Sequence, residues 1–274
     1  MSHIKKYFFQ KINTAGKIIL PYFRYWFRTY KFNIKKYPNS YLSNEPSIKK
    51  IDLKKAPEIV YTLWTGNNKL TFNRKKGIES LQKIVGVKVI LITTKNLNEF
   101  ILKDFPIHRA YEYLSLNHRS DYLRCYLMLH YGGGYADIKI FDKSWKNAFE
   151  KLNESNDKWC LGYHERNIGS VAFTDGKLGV DLSENYLSLI GNGAYIFKPN
   201  NPISKECMKE LNRRLDGFYE SLKNNPAIDP FGQNANYPIP WNYLGGHILH
   251  PLELKYHEHI MYSDTVKQTK DDYR

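Results

Sequence analysis

Acidic residues are missing from the first 44 positions, which carry nine lysines and arginines. Also missing from the 274 residues is any apolar run of about 18 residues, so no segment reads as a transmembrane helix. Lys11 and Lys17 interrupt every candidate core of a secretion signal, so none is expected. Cysteine is scarce. Cys125, Cys160 and Cys207 lie far apart, match no zinc spacing and cannot all pair, which points to a reducing compartment and a cytoplasmic protein. No GxxxxGK[ST] loop, GxSxG elbow or HExxH pair occurs, which argues against a P-loop nucleotidase, an α/β-hydrolase and a zincin. No internal repeat is present.

Hydrophobic residues make up 42% of the chain and aromatics 15%, enough for a sizeable core. The net charge of +14 favours an anionic partner: nucleic acid, an anionic membrane surface or a phosphorylated substrate. Much of that charge sits at Lys5, Lys6, Lys11, Lys17, Arg24, Arg28, Lys31, Lys35 and Lys36, among aromatics that include Phe8 and Phe9. Ile19, Tyr22, Phe23, Trp26, Phe27 and Tyr30 fall on one helical stripe, with Pro21 suited to its first turn. Two readings stand for this helix. Its aromatic face lies in the headgroup region of an anionic membrane at the inner face of the cell, or it packs on the protein's own body. Residues 38–56 read as a linker, so 1–55 is expected to be a basic aromatic segment and 56–274 the globular domain. With basic residues concentrated at the N-terminus and no recognition motif, no nucleic-acid partner is expected.

From Ala56 onward strands and helices alternate. Strands are predicted at 58–64, 87–93, 135–141, 158–164 and 194–197. Helices are predicted at 72–84, after Asn96, at 119–131, at 145–152 and over 15–20 residues from Pro202. Residues 165–185 read as a polar loop and 224–246 as a loop able to serve as a lid. His247, His250, His257 and His259 crowd the end without a compact zinc spacing, and surface or structural roles are expected for most of them. The alternation predicts an α/β fold whose mostly parallel sheet is covered on both faces. Ligands of such sheets bind beyond the carboxyl ends of the strands, which would bring Leu63–Gly66 toward Asp137.

The stretch 117–141, NHRSDYLRCYLMLHYGGGYADIKIF, is the centre of the sequence. Leu123, Tyr126, Leu127 and Tyr131 define a helix face, and Asp121 and Arg124 neighbour each other at i,i+3. Gly132, Gly133 and Gly134 stop the helix. Alternation then puts Tyr135, Asp137, Lys139 and Phe141 on one side of a strand and Ala136, Ile138 and Ile140 on the other. An acid and a lysine on one face just past a glycine turn suggest a ligand site. The plainer reading is a helix–turn–strand joint with a surface ion pair.

This run resembles the signature of the DXD-containing sugar-binding glycosyltransferases (glycosyltransferase family 32) and of the related capsular polysaccharide synthesis proteins. The opening strand Glu58–Gly66 and the run GNGAYIFKPNNP from Gly191 are similar to further parts of that family. The resemblance implies a GT-A-like, Rossmann-like sheet. It implies transfer of a sugar from a nucleotide-diphosphate donor to a hydroxyl of a glycan or lipid-linked acceptor in surface-polysaccharide assembly, with retention of configuration. Asp137 and Lys139 would act at the donor end. Leu63, Trp64, Asp121, Arg124, Gly133, Tyr135, Asp137 and Asn192 would surround the nucleotide sugar. The family's second DXD acid is Lys139 here. A divalent Mn or Mg ion would then rest on Asp137 with His247, or the lysine ammonium would meet the diphosphate itself. Two other classes remain: a basic nucleic-acid-binding protein, and a membrane-associated sugar-nucleotide binder that has lost catalysis.

Overall fold

The computed structural model describes residues 19–43, 53–172 and 175–269. The basic and aromatic positions before residue 19 and the middle of the expected linker, 44–52, lie outside the described residues. Within them the expected α/β architecture is present: a GT-A-like, Rossmann-type sheet flanked by helices.

Six strands form one sheet in the order β2-β1-β3-β5-β4-β6: β1 Ile59–Trp64, β2 Lys88–Thr93, β3 Gly133–Ala136, β4 Cys160–His164, β5 Ile190–Phe197 and β6 Ile260–Tyr262. Pairing is parallel for β1–β2, β1–β3 and β4–β6 and antiparallel on both sides of β5, so five strands run one way and β5 alone opposes them. Alternating side chains feed two cores. Val60, Ala136, Leu161 and Ile196 pack with Leu81, Trp145 and Phe149 on one face. Tyr61, Leu63, Tyr135, Tyr195 and Phe197 pack with Tyr122, Leu123, Leu211 and Leu252 on the other. The helices that supply these layers are α2 (Phe72–Ile84) and α4 (Lys146–Glu154), and α3 (Leu116–His130), α6 (Pro202–Asn224) and α7 (Gly246–Lys255).

α3 departs from the one-faced helix expected. His118, Asp121, Tyr122, Leu123, Cys125, Tyr126, Leu127 and Met128 are all buried, because the sheet, α6 and the 101–110 segment enclose it. The Tyr126 hydroxyl donates to Phe105 O (2.7 Å), and the Tyr122 hydroxyl accepts from His108 N (2.9 Å). At its end Gly132 takes φ 67° and its N–H returns to Leu127 O at 3.0 Å. A Cβ there would stand 2.6 Å from Pro199, so only glycine lets the chain turn at this point.

The strand expected over 135–141 stops at Ala136. Arg74 Nη1 donates to Ile138 O at 3.0 Å, and α2 approaches so closely that a Cβ on Gly77 would lie 3.1 Å from the Ile138 carbonyl carbon. These contacts pull residues 137–139 off the sheet into a turn on α2. Phe141 is correspondingly buried against Trp145, ring centroids 5.6 Å apart, rather than sharing a strand face with Asp137.

Other differences share one cause, tertiary burial outweighing local pattern. The polar loop of 165–185 contains α5 (Gly176–Glu184), held by Leu182 against Leu189 and Leu254. α7 includes Pro251 and is buried almost throughout, so it shows no amphipathic period. The helix from Pro202 runs for 23 residues, capped by the Asn201 side chain. Asn96 caps no helix. Its Oδ1 accepts from Thr93 N at 2.7 Å, and only a 3-10 turn, Leu97–Phe100, follows.

The N-terminal residues described lie on the domain. Residues 19–26 form a helix, α1, and the chain then crosses the domain with Tyr37 and Leu42 buried. Lys36 and the Tyr37 hydroxyl both bond Asp181 of α5, and the Tyr41 hydroxyl donates to His247 O at 3.1 Å.

Candidate active site

A cleft of about 400 Å³ opens at the carboxyl ends of β1 and β3, a size suited to a small organic ligand. Leu63 and Trp64 form one wall where β1 ends. The Trp64 indole N–H donates to Asn68 O (2.8 Å), which sets the ring's tilt, and the Thr65 hydroxyl donates to Leu116 O (2.7 Å), tying the end of β1 to the start of α3. Arg74, in the first turn of α2, places its guanidinium 5.9 Å from the Trp64 ring while holding Ile138 O.

The facing wall comes from the 225–245 loop through Pro230, Phe231 and Trp241. The Phe231 and Trp241 rings are 5.7 Å apart. This loop is fastened to α3 rather than free. Asn117 N donates to Pro230 O (3.1 Å), and His118 Nε2–H donates to Trp241 O (3.0 Å). The Nδ1 of that fully buried histidine accepts from the Tyr237 hydroxyl (2.8 Å), which fixes its tautomer. Asp229 gathers the N–H groups of Phe231, Gln233 and Asn234 at the loop's tip.

Asp137 lies on the floor. Its Oδ1 accepts from the Tyr135 hydroxyl (2.8 Å), and its Oδ2 is 3.2 Å from Lys139 Nζ. Burial and the neighbouring carboxylate push the Tyr135 phenol up, so it stays a donor. Behind Tyr135 stands Arg124, with its guanidinium 5.6 Å from the ring centroid and its Nη1 donating to Asn192 O (2.9 Å). Arg124 also pairs with Asp121, whose side chain is 5% exposed. The pair lines a separate void of about 20 Å³ with Tyr195 and Cys207, under Gly245. Asp121 and Arg124 therefore support the cleft from behind instead of lining it.

Asn192 sits where β5 meets α7. Its amide faces His250 Nε2 at 3.0 Å. His250 Nδ1 accepts from Ala172 N (3.0 Å), and its Nε2 lies 3.5 Å from Glu165 Oε2. The turn that Arg124 and His250 hold reaches the cleft floor through Gly193, whose carbonyl accepts from Asp137 N at 2.8 Å.

Leu63, Trp64, Tyr135 and Asp137 thus meet in one cleft, with Leu63–Gly66 near Asp137 as expected for the carboxyl ends of parallel strands. Gly133 does not join them. It stands at the amino end of β3, where a Cβ would be 2.7 Å from Ile59 O. His247 is also elsewhere: its ring is 6.1 Å from Tyr243, and burial, then the Arg214 charge, lower its pKa. Arg74, Phe231 and Trp241 join the cleft as well, beyond the residues the sequence points to. The signals were present, an arginine in the first turn after β1 and aromatics in an otherwise polar Asn/Pro/Gly loop.

The residues described do not fit a divalent metal at Asp137. Both of its oxygens already face donors, one a cation. No group of three or more His, Cys, Asp or Glu side chains able to hold a metal ion occurs among the described residues.

A family model described as capsular polysaccharide synthesis protein matches residues 15–176. The match takes in β1 to β4, α3, the Asp137 turn and α1. A search of curated proteins finds no match.

Proposed function

The chain belongs to the capsular polysaccharide synthesis protein family, and from that membership and the cleft we propose that it is a glycosyltransferase. It moves a sugar from a nucleotide-diphosphate donor to a hydroxyl of a growing surface glycan. The observation that carries this reading is the composition of one cleft: flat aromatic walls at Trp64, Phe231 and Trp241, an acid and the Arg74 guanidinium lining it, and Lys139 paired with that acid. Aromatic faces suit a nucleobase, since each buries a large flat area with defined geometry. Arg74 and Lys139 suit the diphosphate. Guanidinium forks match phosphoryl oxygens, and an ammonium adds a point charge.

Asp137 suits hydroxyls of the ribose or the sugar. The Tyr135 hydroxyl and Lys139 hold its carboxylate in place, and Arg124 holds Tyr135. In the reaction the bond between the sugar's anomeric carbon and the diphosphate oxygen breaks with its electron pair on that oxygen, and the acceptor oxygen bonds the carbon as its proton passes to the departing diphosphate. Charge develops on the departing diphosphate, so fixed cations there lower the barrier. Positive charge develops on the sugar, where the Asp137 carboxylate is placed to oppose it. Retention of configuration is what the family resemblance implies.

A thermal-shift screen against nucleotide diphosphates and nucleotide sugars tests this, because a ligand that binds only the folded chain raises its melting temperature. One nucleotide class should stabilise the protein, and Trp241→Ala should remove the shift. Binding with neither transfer nor donor hydrolysis would assign the chain to sugar-nucleotide binders without catalysis. No shift with any nucleotide would overturn the reading.

A further inference from the structure

The protein body leaves one face of α1 bare. Ile19, Phe23, Trp26 and Phe27 are 63%, 51%, 74% and 67% exposed, and the Phe23 and Phe27 rings lie 4.7 Å apart. The other face is fastened. Pro21 is buried, and the Tyr25 ring meets His164 at 4.8 Å and Tyr262 at 5.7 Å, edge-on to both. Arg24 pairs with Glu184 at 2.9 Å. Docking therefore sets the aromatic stripe outward.

The helix ends with Arg28 N–H on Tyr25 O (3.3 Å) and Thr29 N–H on Arg24 O (3.2 Å). This closure places its turning residue in the left-handed region, where glycine is usual. Arg28 occupies that position at φ 49°. A cation thus stands beside Trp26 and Phe27 despite the backbone conformation, and exposed Lys31 and Lys35 follow it. A second copy of the chain would bring like-charged margins together in a segment with no acid from residue 1 to 44. An anionic bilayer meets both needs, with an apolar boundary for the rings and negative headgroups for the cations.

The place of α1 in the fold adds direction. His164 ends β4 and Tyr262 ends β6, and both strands run parallel with β1 and β3. The helix therefore sits on the same carboxyl edge of the sheet as the cleft. Two strand spacings separate β3 from β4 and four separate β1 from β6, about 10–20 Å along the edge.

We propose that the exposed face of α1 seats the protein on an anionic lipid surface with the carboxyl edge of the sheet toward the bilayer, so that the cleft serves a lipid-anchored acceptor. The acceptor half of this rests on the glycosyltransferase reading; the seating does not.

The full chain is tested by co-sedimentation with mixed phosphatidylcholine–phosphatidylglycerol vesicles, with pure phosphatidylcholine vesicles as control. The wild type should bind the mixed vesicles, lose binding as salt rises, and show Trp26 fluorescence quenched by brominated lipid. A Phe23→Glu/Phe27→Glu variant should bind at least about tenfold more weakly. Its melting temperature and its thermal shift with donor nucleotide in solution should match wild type, which separates failed seating from a failed cleft. Transfer to an acceptor embedded in vesicles should fall about as far as binding does, while donor hydrolysis in solution stays unchanged. Wild-type protein that ignores anionic vesicles overturns the seating, as does a variant that binds them equally well. A concentration-dependent dimer abolished by the variant, without vesicle binding, assigns the stripe to a second copy instead. Vesicle binding with equal transfer to embedded and soluble acceptors overturns the acceptor half alone.

Discussion

Lys139 holds its ammonium 3.2 Å from Asp137 Oδ2, while the Tyr135 hydroxyl occupies Oδ1 at 2.8 Å. Where the family resemblance implies a second acid, this chain thus carries the partner of Asp137. A carboxylate engaged by a cation on one side and a donor on the other is poorly placed to bind a divalent ion, because the ammonium repels it. Donor nucleotide should therefore stabilise the wild type equally in EDTA and in Mn²⁺. Lys139→Asp removes the cation and supplies the second acid, so its thermal shift should vanish in EDTA and return with Mn²⁺. Asp137→Asn should lower turnover by about a hundredfold or more through lost positioning. A wild-type shift that appears only with Mn²⁺ would overturn this account of the Asp137–Lys139 pair.

Arg124→Ala should damage stability as well as activity. Its partner Asp121 is buried, and its Nη1 holds the Asn192 carbonyl. Removing one member of a buried pair leaves the other charge uncompensated and typically costs about 3–5 kcal/mol. A loss under about 1 kcal/mol in urea unfolding, the size expected for an exposed pair, would contradict this account.

Those two sites show where the sequence was legible. The strand–helix–strand opening is legible because β1 and β2 are continuous runs rich in β-branched residues and are ended by turn residues, and α2 spans the predicted 72–84. The cleft's centre is legible because Trp64 ends β1 and Asp137 follows β3, and the two parallel strands point at the same edge. Asp121 and Arg124 were readable as a pair but not as a buried one, since i,i+3 spacing says nothing of the α6 and α7 layer above it. Trp241 and Phe231 reach the cleft across a gap of more than a hundred residues. Their wall depends on His118 and Asn117 gripping the loop, contacts that no local pattern encodes.

Arg74 offers a cleaner separation of binding from folding. It is half-buried, lies in the first turn of α2, and faces Trp64 across the cleft wall. Arg74→Ala should weaken nucleotide-diphosphate binding by about 1.5–3 kcal/mol, the worth of a charged hydrogen bond. Binding of the nucleoside lacking phosphate should change little. Titration calorimetry with both ligands checks this, and an equal loss for the two would place Arg74 against the base rather than the diphosphate.

Glu253 gives the fold a pH dependence of unusual sign for an acid. It is fully buried on α7, with Oε2 accepting from Ile190 N at 3.0 Å at the start of β5. Burial pushes its carboxyl well above the usual range; the Ile190 N–H opposes this, and Glu165 adds to it. The folded chain therefore keeps the proton that the unfolded chain releases near pH 4.3. A raised folded pKa means that this contribution to stability is complete below the unfolded value and is lost as pH climbs toward the folded one. Glu253→Gln retains an oxygen for Ile190 and cannot ionise. Melting temperatures taken from pH 4 to pH 8 should show the wild type losing ground steadily to the variant, with the gap smallest at the acid end. Parallel curves for the two proteins would mean that Glu253 ionises in the folded state as readily as in the unfolded one, and the buried acid would then need a compensating charge.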